Sequence, residues 1–256
     1  MLLTIDIGNT TIQCGIWRGK ILAKHFTIPT NLPTYQPALT RALRKENIHE
    51  SILCSVVPQA SVKLYRAITE LVGVPPLRIG KEVRVPIKNK YRNPAQVGED
   101  RLVNAYAAIC LYGAPSIVVD FGTAITFDVI SRKNEYLGGM IVPGLQTSLN
   151  ALASHTARLP SLRAAPPPRQ LIGRNTKDSI LGGVVYGYAG LTEHLVKKLK
   201  VSIGKNAKVI GTGGEIAFLK KYCGAFDVIE PNLILRGLTL LVSANNTSCK
   251  NLFGSA

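Results

Sequence analysis

Four short runs carry residue types suited to phosphate and cation chemistry. The first is Asp6-Ile7-Gly8-Asn9-Thr10-Thr11-Ile12-Gln13, which follows the apolar run Leu2-Leu3-Thr4-Ile5. Gly8 and Asn9 tolerate positive φ, so Gly8-Asn9-Thr10 reads as a turn. Ile12, Cys14 and Ile16 alternate with Thr11, Gln13 and Gly15, the period of a half-buried strand. The stretch is thus a β-hairpin with a carboxylate at one strand end and N–H and hydroxyl donors at its tip. Such a tip cradles phosphate oxygens, while the carboxylate holds a hard cation directly or through water. An ordinary hairpin with an Asp at its turn reads the same way. The second run, Ser116 to Ile130, repeats the device with Asp120-Phe121-Gly122-Thr123 at its bend. Asp6 and Gly8 match Asp120 and Gly122, and on this alignment Ile12 and Cys14 fall opposite Thr126 and Asp128. Two copies of one unit suggest two half-domains facing each other across a cleft.

The third run is Gly98-Glu99-Asp100-Arg101. Leu102, Val103, Tyr106, Ile109 and Cys110 follow it at helical spacing. Asp100 therefore stands at or just before the first turn of a helix, where the dipole favours an ionised carboxylate. There it can act as a base or orient a hydroxyl. On local sequence alone an N-cap is the simpler role. The fourth run, Gly211-Thr212-Gly213-Gly214-Glu215, links a strand at Lys208–Ile210 to a helix from Ile216 to Tyr222. A Gly-rich turn at a helix start suits nucleotide phosphate through its N–H groups.

The elements that must position these runs follow from periodicity and punctuation. Strands are expected at Ile21–Ile28, Ser51–Val57, Leu77–Ile79 and Glu135–Gly144. Helices are expected at Tyr35–Asn47, Ala60–Val72, Leu145–Ala153, Lys177–Leu199 and Asn232–Asn245. Val83 to Gln96 reads as loop, and Gly113-Ala114-Pro115 as the boundary between halves at residues 1–114 and 115–256. This order is that of an α/β protein with mixed sheets and packed helices. Gly182, Gly183, Gly187 and Gly190 cost a helix about 1 kcal/mol each against Ala, and close helix approach is one reason to keep them. That face is a candidate dimer contact.

The 256 residues carry 31 Lys and Arg against 15 Asp and Glu, a net charge of +16. The basic residues are dispersed, without the like-charge block or aromatic interleaving of a nucleic-acid-binding surface, so nucleic acid is an unlikely partner. No apolar run approaches the ~18 residues of a membrane span, and no secretory leader is evident at the start. The five cysteines, Cys14, Cys54, Cys110, Cys223 and Cys249, are scattered and show no metal or disulfide spacing. Reduced thiols in a cytoplasmic protein explain them. His25, His49, His155 and His194 form no ligand cluster. A P-loop signature is absent.

Taken together, Asp6-Ile-Gly-Asn-Thr10, Gly98-Glu-Asp-Arg101 and Asp120-Phe-Gly-Thr-Ala124 resemble the three signature motifs of the type III pantothenate kinases. Gly138–Gly144, Gly173–Thr176 and Gly211–Gly214 resemble that family's later segments, in order. The resemblance implies two RNase H-like halves of the actin-like ATPase and sugar kinase superfamily, with a nucleotide cleft between them. It implies phosphorylation of pantothenate by ATP, the first step of coenzyme A synthesis, in a homodimer that needs Mg2+ and a monovalent cation, K+ or NH4+. Carried over by position, Asp6, Ile7, Gly8, Asn9, Thr10, Thr11, Ile12 and Gln13 would form the ATP phosphate loop, with Asp6 near magnesium. Thr123 would touch ATP, and Asp120 would hold the monovalent cation. Asp100 would be the catalytic base. Gly98, Glu99, Asp100 and Arg101 would line the pantothenate pocket, with Tyr91 at its edge and Thr176 reaching in from the partner subunit. The rival reading is a relict fold serving as a transcription accessory factor. Three intact acids argue against it.

Overall fold

The computed structural model describes residues 1–246, so Cys249 lies outside the described residues. In chain order the elements are β1 (Leu2–Ile7), β2 (Thr11–Arg18), β3 (Ile21–Pro29), α1 (Gln36–Leu43), β4 (Glu50–Ser55), α2 (Pro58–Val72), β5 (Leu77–Arg78), β6 (Lys88–Asn89) and α3 (Glu99–Tyr112). They continue with β7 (Ser116–Phe121), β8 (Ala124–Ile130), β9 (Glu135–Pro143), α4 (Leu145–Ser154), α5 (Thr176–Ile203), β10 (Lys208–Gly213), α6 (Ile216–Leu219), β11 (Val228–Ile229) and α7 (Leu233–Asn246).

The chain divides into two compact units. Among the described residues the first holds 1–87, 92–107 and 233–246; the second holds 88–91 and 108–232. A cut at residue 114 would give α7 to the second half. The helix packs instead on β1, β2 and β4, because Leu235, Leu238, Leu241 and Val242 share a core with Ile52 and Cys54.

The two sheets repeat one topology. The first has the order β3-β2-β1-β4-β5, and the second has β9-β8-β7-β10-β11 with β6 added beyond β9. In each, two antiparallel hairpin strands precede two parallel strands. β6 lies in the segment read as loop. Its two residues are too few for periodicity, and Lys88 and Lys90 hold it to Glu135 of β9 at 3.4 and 3.6 Å. β11 is also too short to show in the sequence.

Register corrects the alignment of the hairpins. Asp6 pairs with Gln13 and Ile5 with Cys14, whereas Asp120 pairs with Thr126 and Val119 with Phe127. Three residues, 8–10, link β1 to β2, and only 122 and 123 link β7 to β8. The extra turn residue shifts the match by one. Gln13 and Gly15, not Ile12 and Cys14, are the counterparts of Thr126 and Asp128. Because side chains alternate, a shift of one exchanges the two faces of the strand.

Each sheet packs one face against helices of its own unit, and α7 also covers part of the other face of the first sheet. In the first unit Ile5, Ile7, Ile12, Cys14 and Leu53 pack with Leu39, Leu64 and Ile68 of α1 and α2. In the second, Ile117, Val119, Phe121, Ile125 and Phe127 pack with Leu145, Val185 and Ile216. The acids lie at even positions and so belong to the opposite faces.

Candidate active site

In the first unit β1 carries Asp6 between Gln13 and Cys54. Ile7 and Ile12 are fully buried, so only their main chain can meet a ligand, while Asn9, Thr10 and Thr11 are exposed. The turn is braced from within. Gly8 N–H donates to the Thr11 carbonyl at 3.1 Å, so it is committed and not held out to a phosphate. Thr30 fixes the other side: its N–H donates to the Thr10 carbonyl at 3.0 Å, and its hydroxyl to that of Gly8 at 2.8 Å.

Glu99 and Asp100 occupy the first turn of α3. Asp100 is inside the helix, and its Oδ1 accepts the Arg101 N–H at 2.9 Å. Burial pushes its carboxyl above the ordinary aspartate range, outweighing the Arg101 N–H and guanidinium that favour the charged form. Glu99 is raised by burial and then by Asp100. Gly80, at φ +80°, leaves room for Glu99: a β-carbon there would lie 2.8 Å from Oε1. These acids share a neighbour with Asp6. The buried Cys54 thiol is pushed up by desolvation and then by the charges of Asp6, Asp100 and Glu99. Asp6 is the cross-strand partner of Cys54, and the charges of Asp100 and Glu99 reach the same thiol from α3.

In the second unit Asp120 lies between Thr126 of β8 and Thr212 of β10. Gly213, at φ +92°, allows this: a β-carbon would stand 2.5 Å from Asp120 Oδ1. The exposed Thr123 gives its carbonyl to the Gly144 N–H at 2.9 Å and the Thr147 hydroxyl at 2.7 Å, anchoring the hairpin tip to the start of α4. Sequence reasoning missed Glu215 in the Gly-rich turn: burial raises its carboxyl, while the Leu145 and Gln146 N–H groups at that same start favour its charged form. Helix α4 has Gly144 as its cap and no acid in its first turn, and Glu215 brings a carboxylate near that end from a distant part of the chain. Tyr91 lies against Gly138, where a β-carbon would be 3.2 Å from the ring. Thr176 is the first residue of α5, behind the cap Asn175, whose side chain accepts the Asp178 N–H at 2.9 Å.

The expected residues therefore fall into two sets. Asp6 to Gln13 and Gly98 to Arg101 belong to the first unit; Tyr91, Asp120, Thr123 and Thr176 belong to the second. Among the described residues no three His, Cys, Asp or Glu side chains are grouped to hold a metal. A carboxylate such as Asp6 fits magnesium carried in by phosphates, which keeps several waters and takes one or two protein oxygens. Asp120 with two flanking hydroxyls fits a larger monovalent ion with oxygen ligands. Two cavities, of about 540 and 400 Å3, open elsewhere in the second and first units, and neither is lined by these acids.

The model of the type III pantothenate kinase family matches residues 2–198. The chain belongs to the type III pantothenate kinase family. A type III pantothenate kinase from Persephonella marina is 39% identical over 247 residues, covering 93% of this chain and 96% of the relative. Among solved structures, one described as a conserved candidate Baf family transcriptional activator from Campylobacter jejuni aligns with a TM-score of 0.61 at 22% identity, over 95% and 98% of the two chains. An activator of 2-hydroxyisocaproyl-CoA dehydratase from Clostridium difficile, solved with bound ADPNP, aligns with a TM-score of 0.55 at 13% identity, over 100% and 99%. At these identities the structures speak for the fold alone, an α/β fold with mixed sheets. As expected of a type III pantothenate kinase, each sheet carries one acid-tipped hairpin.

Proposed function

We propose that this chain transfers the γ-phosphoryl group of ATP to the primary hydroxyl of pantothenate, with Asp100 as the base. Family membership supports the reaction. The observation that supports the roles is a buried carboxyl, Asp100, in the first turn of α3, in the same unit as Asp6 and felt by the Cys54 thiol that pairs with Asp6. In this reading the hydroxyl oxygen forms a bond to phosphorus as the bond to ADP breaks, and the hydroxyl proton passes to Asp100. A carboxyl raised by burial is the better proton acceptor, because basicity rises with pKa. The exposed turn Asn9–Thr11 meets the phosphates. Thr123, beside the start of α4, touches the nucleotide. Asp6 would hold magnesium and Asp120 a monovalent ion, and these would supply positive charge for a phosphoryl group whose negative charge spreads during transfer. Positioning supplies the rest.

Gly98, Glu99, Arg101 and Tyr91 form the pantothenate pocket in this proposal, completed by Thr176 of a second copy. A homodimer is supported by α5, where added β-carbons at Gly183, Gly187 and Gly190 would meet nothing within 4 Å, and by Leu171 and Ile172, exposed by 72% and 78%. Cytoplasmic location is supported by the free thiols of Cys14, Cys54, Cys110 and Cys223. Among the described residues no helix is long and apolar enough to cross a membrane.

The test is ADP release by the purified protein with and without pantothenate, in potassium and in sodium buffer. Pantothenate-dependent release that falls in sodium is the expected result. Release indifferent to pantothenate would remove the substrate, and equal rates in both buffers would remove the monovalent cation.

A further inference from the structure

Asp128 has no part in the chemistry above, yet it is a fully buried acid in β8. Tyr136, also fully buried, donates its hydroxyl to Asp128 Oδ1 at 2.8 Å, and Thr126 donates Oγ1–H to Oδ2 at 2.9 Å. A hydroxyl has one proton and two lone pairs. With its proton given to Asp128, Thr126 meets any further neighbour as an acceptor only. Thr126 is also the cross-strand partner of Asp120, on the face turned away from Ile117, Val119 and Phe127. Directly opposed residues bring their β-carbons to about 4.5–5.5 Å. A carboxylate and a hydroxyl oxygen with its proton already spent thus stand side by side, an arrangement that attracts a cation.

The fold does not demand this arrangement. Gly15 pairs with Thr4 in the first sheet as Asp128 pairs with Val118 in the second. There Trp17 Nε1–H donates to Thr4 Oγ1 at 2.8 Å, and Trp17 joins an apolar core. The same topology closes without an acid at that place. Burying one costs free energy that packing does not explain.

We propose that Tyr136, Asp128 and Thr126 form a hydrogen-bond relay that makes Thr126 Oγ1 a second oxygen ligand, beside Asp120, for a monovalent cation. Asp128 and Tyr136 are positioning residues. The proposal rests on the reading of Asp120 as the cation's carboxylate.

The test is a potassium titration of the full-length protein, read by thermal melting and by thallium(I) NMR as well as by turnover. Thr126→Val keeps the shape and removes the oxygen, and it should raise the half-saturating potassium concentration about 10- to 100-fold. Thr126→Ser should titrate as the parent does. Tyr136→Phe should raise the requirement by about tenfold, because Asp128 loses the bond that orients it. It also carries the test should the valine variant fail to fold. Parental titrations of both Thr126→Val and Tyr136→Phe would overturn the proposal and leave the Asp120 reading standing. A parent protein indifferent to potassium in all three readouts would remove that reading and this proposal together.

Discussion

The two hairpins begin from one plan and collect different neighbours. Asp6 stands between an amide and a thiol, Gln13 and Cys54; Asp120 stands between two hydroxyls, Thr126 and Thr212. Around Asp6 the helix α3 adds further acids, Glu99 and Asp100, which act on the same thiol. Around Asp120 the sheet adds Thr126, Asp128 and Tyr136, joined by hydrogen bonds. The scaffold sets where an acid stands, and its neighbours set what that acid can do. A carboxylate in a desolvated place has a raised proton affinity, which suits proton transfer. A single carboxylate among hydroxyl oxygens suits an ion that exchanges water for oxygen ligands.

Removing the base from the first set should have the largest effect. Asp100→Asn should lower kcat about a thousandfold. Folding should be retained, because burial already disfavours the charge that the change removes. Near-parental turnover of the purified variant would exclude Asp100 as base. The pH profile sharpens the point. Burial raises the Asp100 pKa, so the carboxyl takes up its proton at a higher pH than a free aspartate, whose pKa is about 3.9. A protonated base accepts nothing. The parent's kcat/KM should therefore fall as pH drops through that raised value, and the residual rate of the Asn variant should lack this limb.

Exchanging the acids of the hairpins comes next in size. Asp6→Asn should lower kcat/KM for ATP about a hundredfold and shift the magnesium titration, leaving the potassium titration in place. Asp120→Asn should shift the potassium titration and leave that of magnesium. If both variants move the same titration, the division of labour between the hairpins is broken.

Much of this was legible in the sequence because strong local rules agreed. The alternation of Ile12, Cys14 and Ile16 and the Gly turns gave both hairpins, and helical spacing after Arg101 put Asp100 in a first turn. What stayed hidden depended on partners distant in the chain. The duplicated motif invited a residue-by-residue match, but the length of the turn, not the motif, sets the register. Glu215 reads as an ordinary acid after two glycines until α4 is brought to it. Thr126-Phe127-Asp128 was visible as alternation, yet the bond that gives it meaning comes from Tyr136 on the next strand. α7 reads as an amphipathic helix wherever it docks, and Gly237 finds its reason only against α3, where a β-carbon would sit 2.8 Å from Val103 Cγ1.

A smaller effect separates the parallel strands that follow the acids. Gly213 pairs with Phe121, and its counterpart in the first unit is Ser55, which pairs with Ile7. Ser55 has a side chain, engaged at 3.1 Å by the Val57 N–H, whereas Gly213 must leave space for Asp120. Gly213→Ala forces a β-carbon to 2.5 Å from Oδ1 at φ +92°. It should cost about 1–3 kcal/mol in chemical denaturation and shift the potassium titration. Ser55→Ala should leave that titration unmoved.

The smallest effect is the most discriminating. Trp17 fills in the first unit the place that polar groups take in the second, and its indole N–H satisfies Thr4. Trp17→Phe keeps an aromatic ring but removes the donor, leaving the buried Thr4 Oγ1 with only its own bond to the Gly15 carbonyl at 3.3 Å. The expected cost is about 1 kcal/mol, measured by urea denaturation, with turnover and both ion titrations unchanged. A potassium shift like that expected of Tyr136→Phe would mean that any loosening beneath a hairpin disturbs ion binding. The asymmetry between the buried indole and the buried carboxylate would then be one of packing alone. A stability loss without a shift separates the two: the first hairpin uses its interior to hold its shape, and the second uses its interior to orient an oxygen.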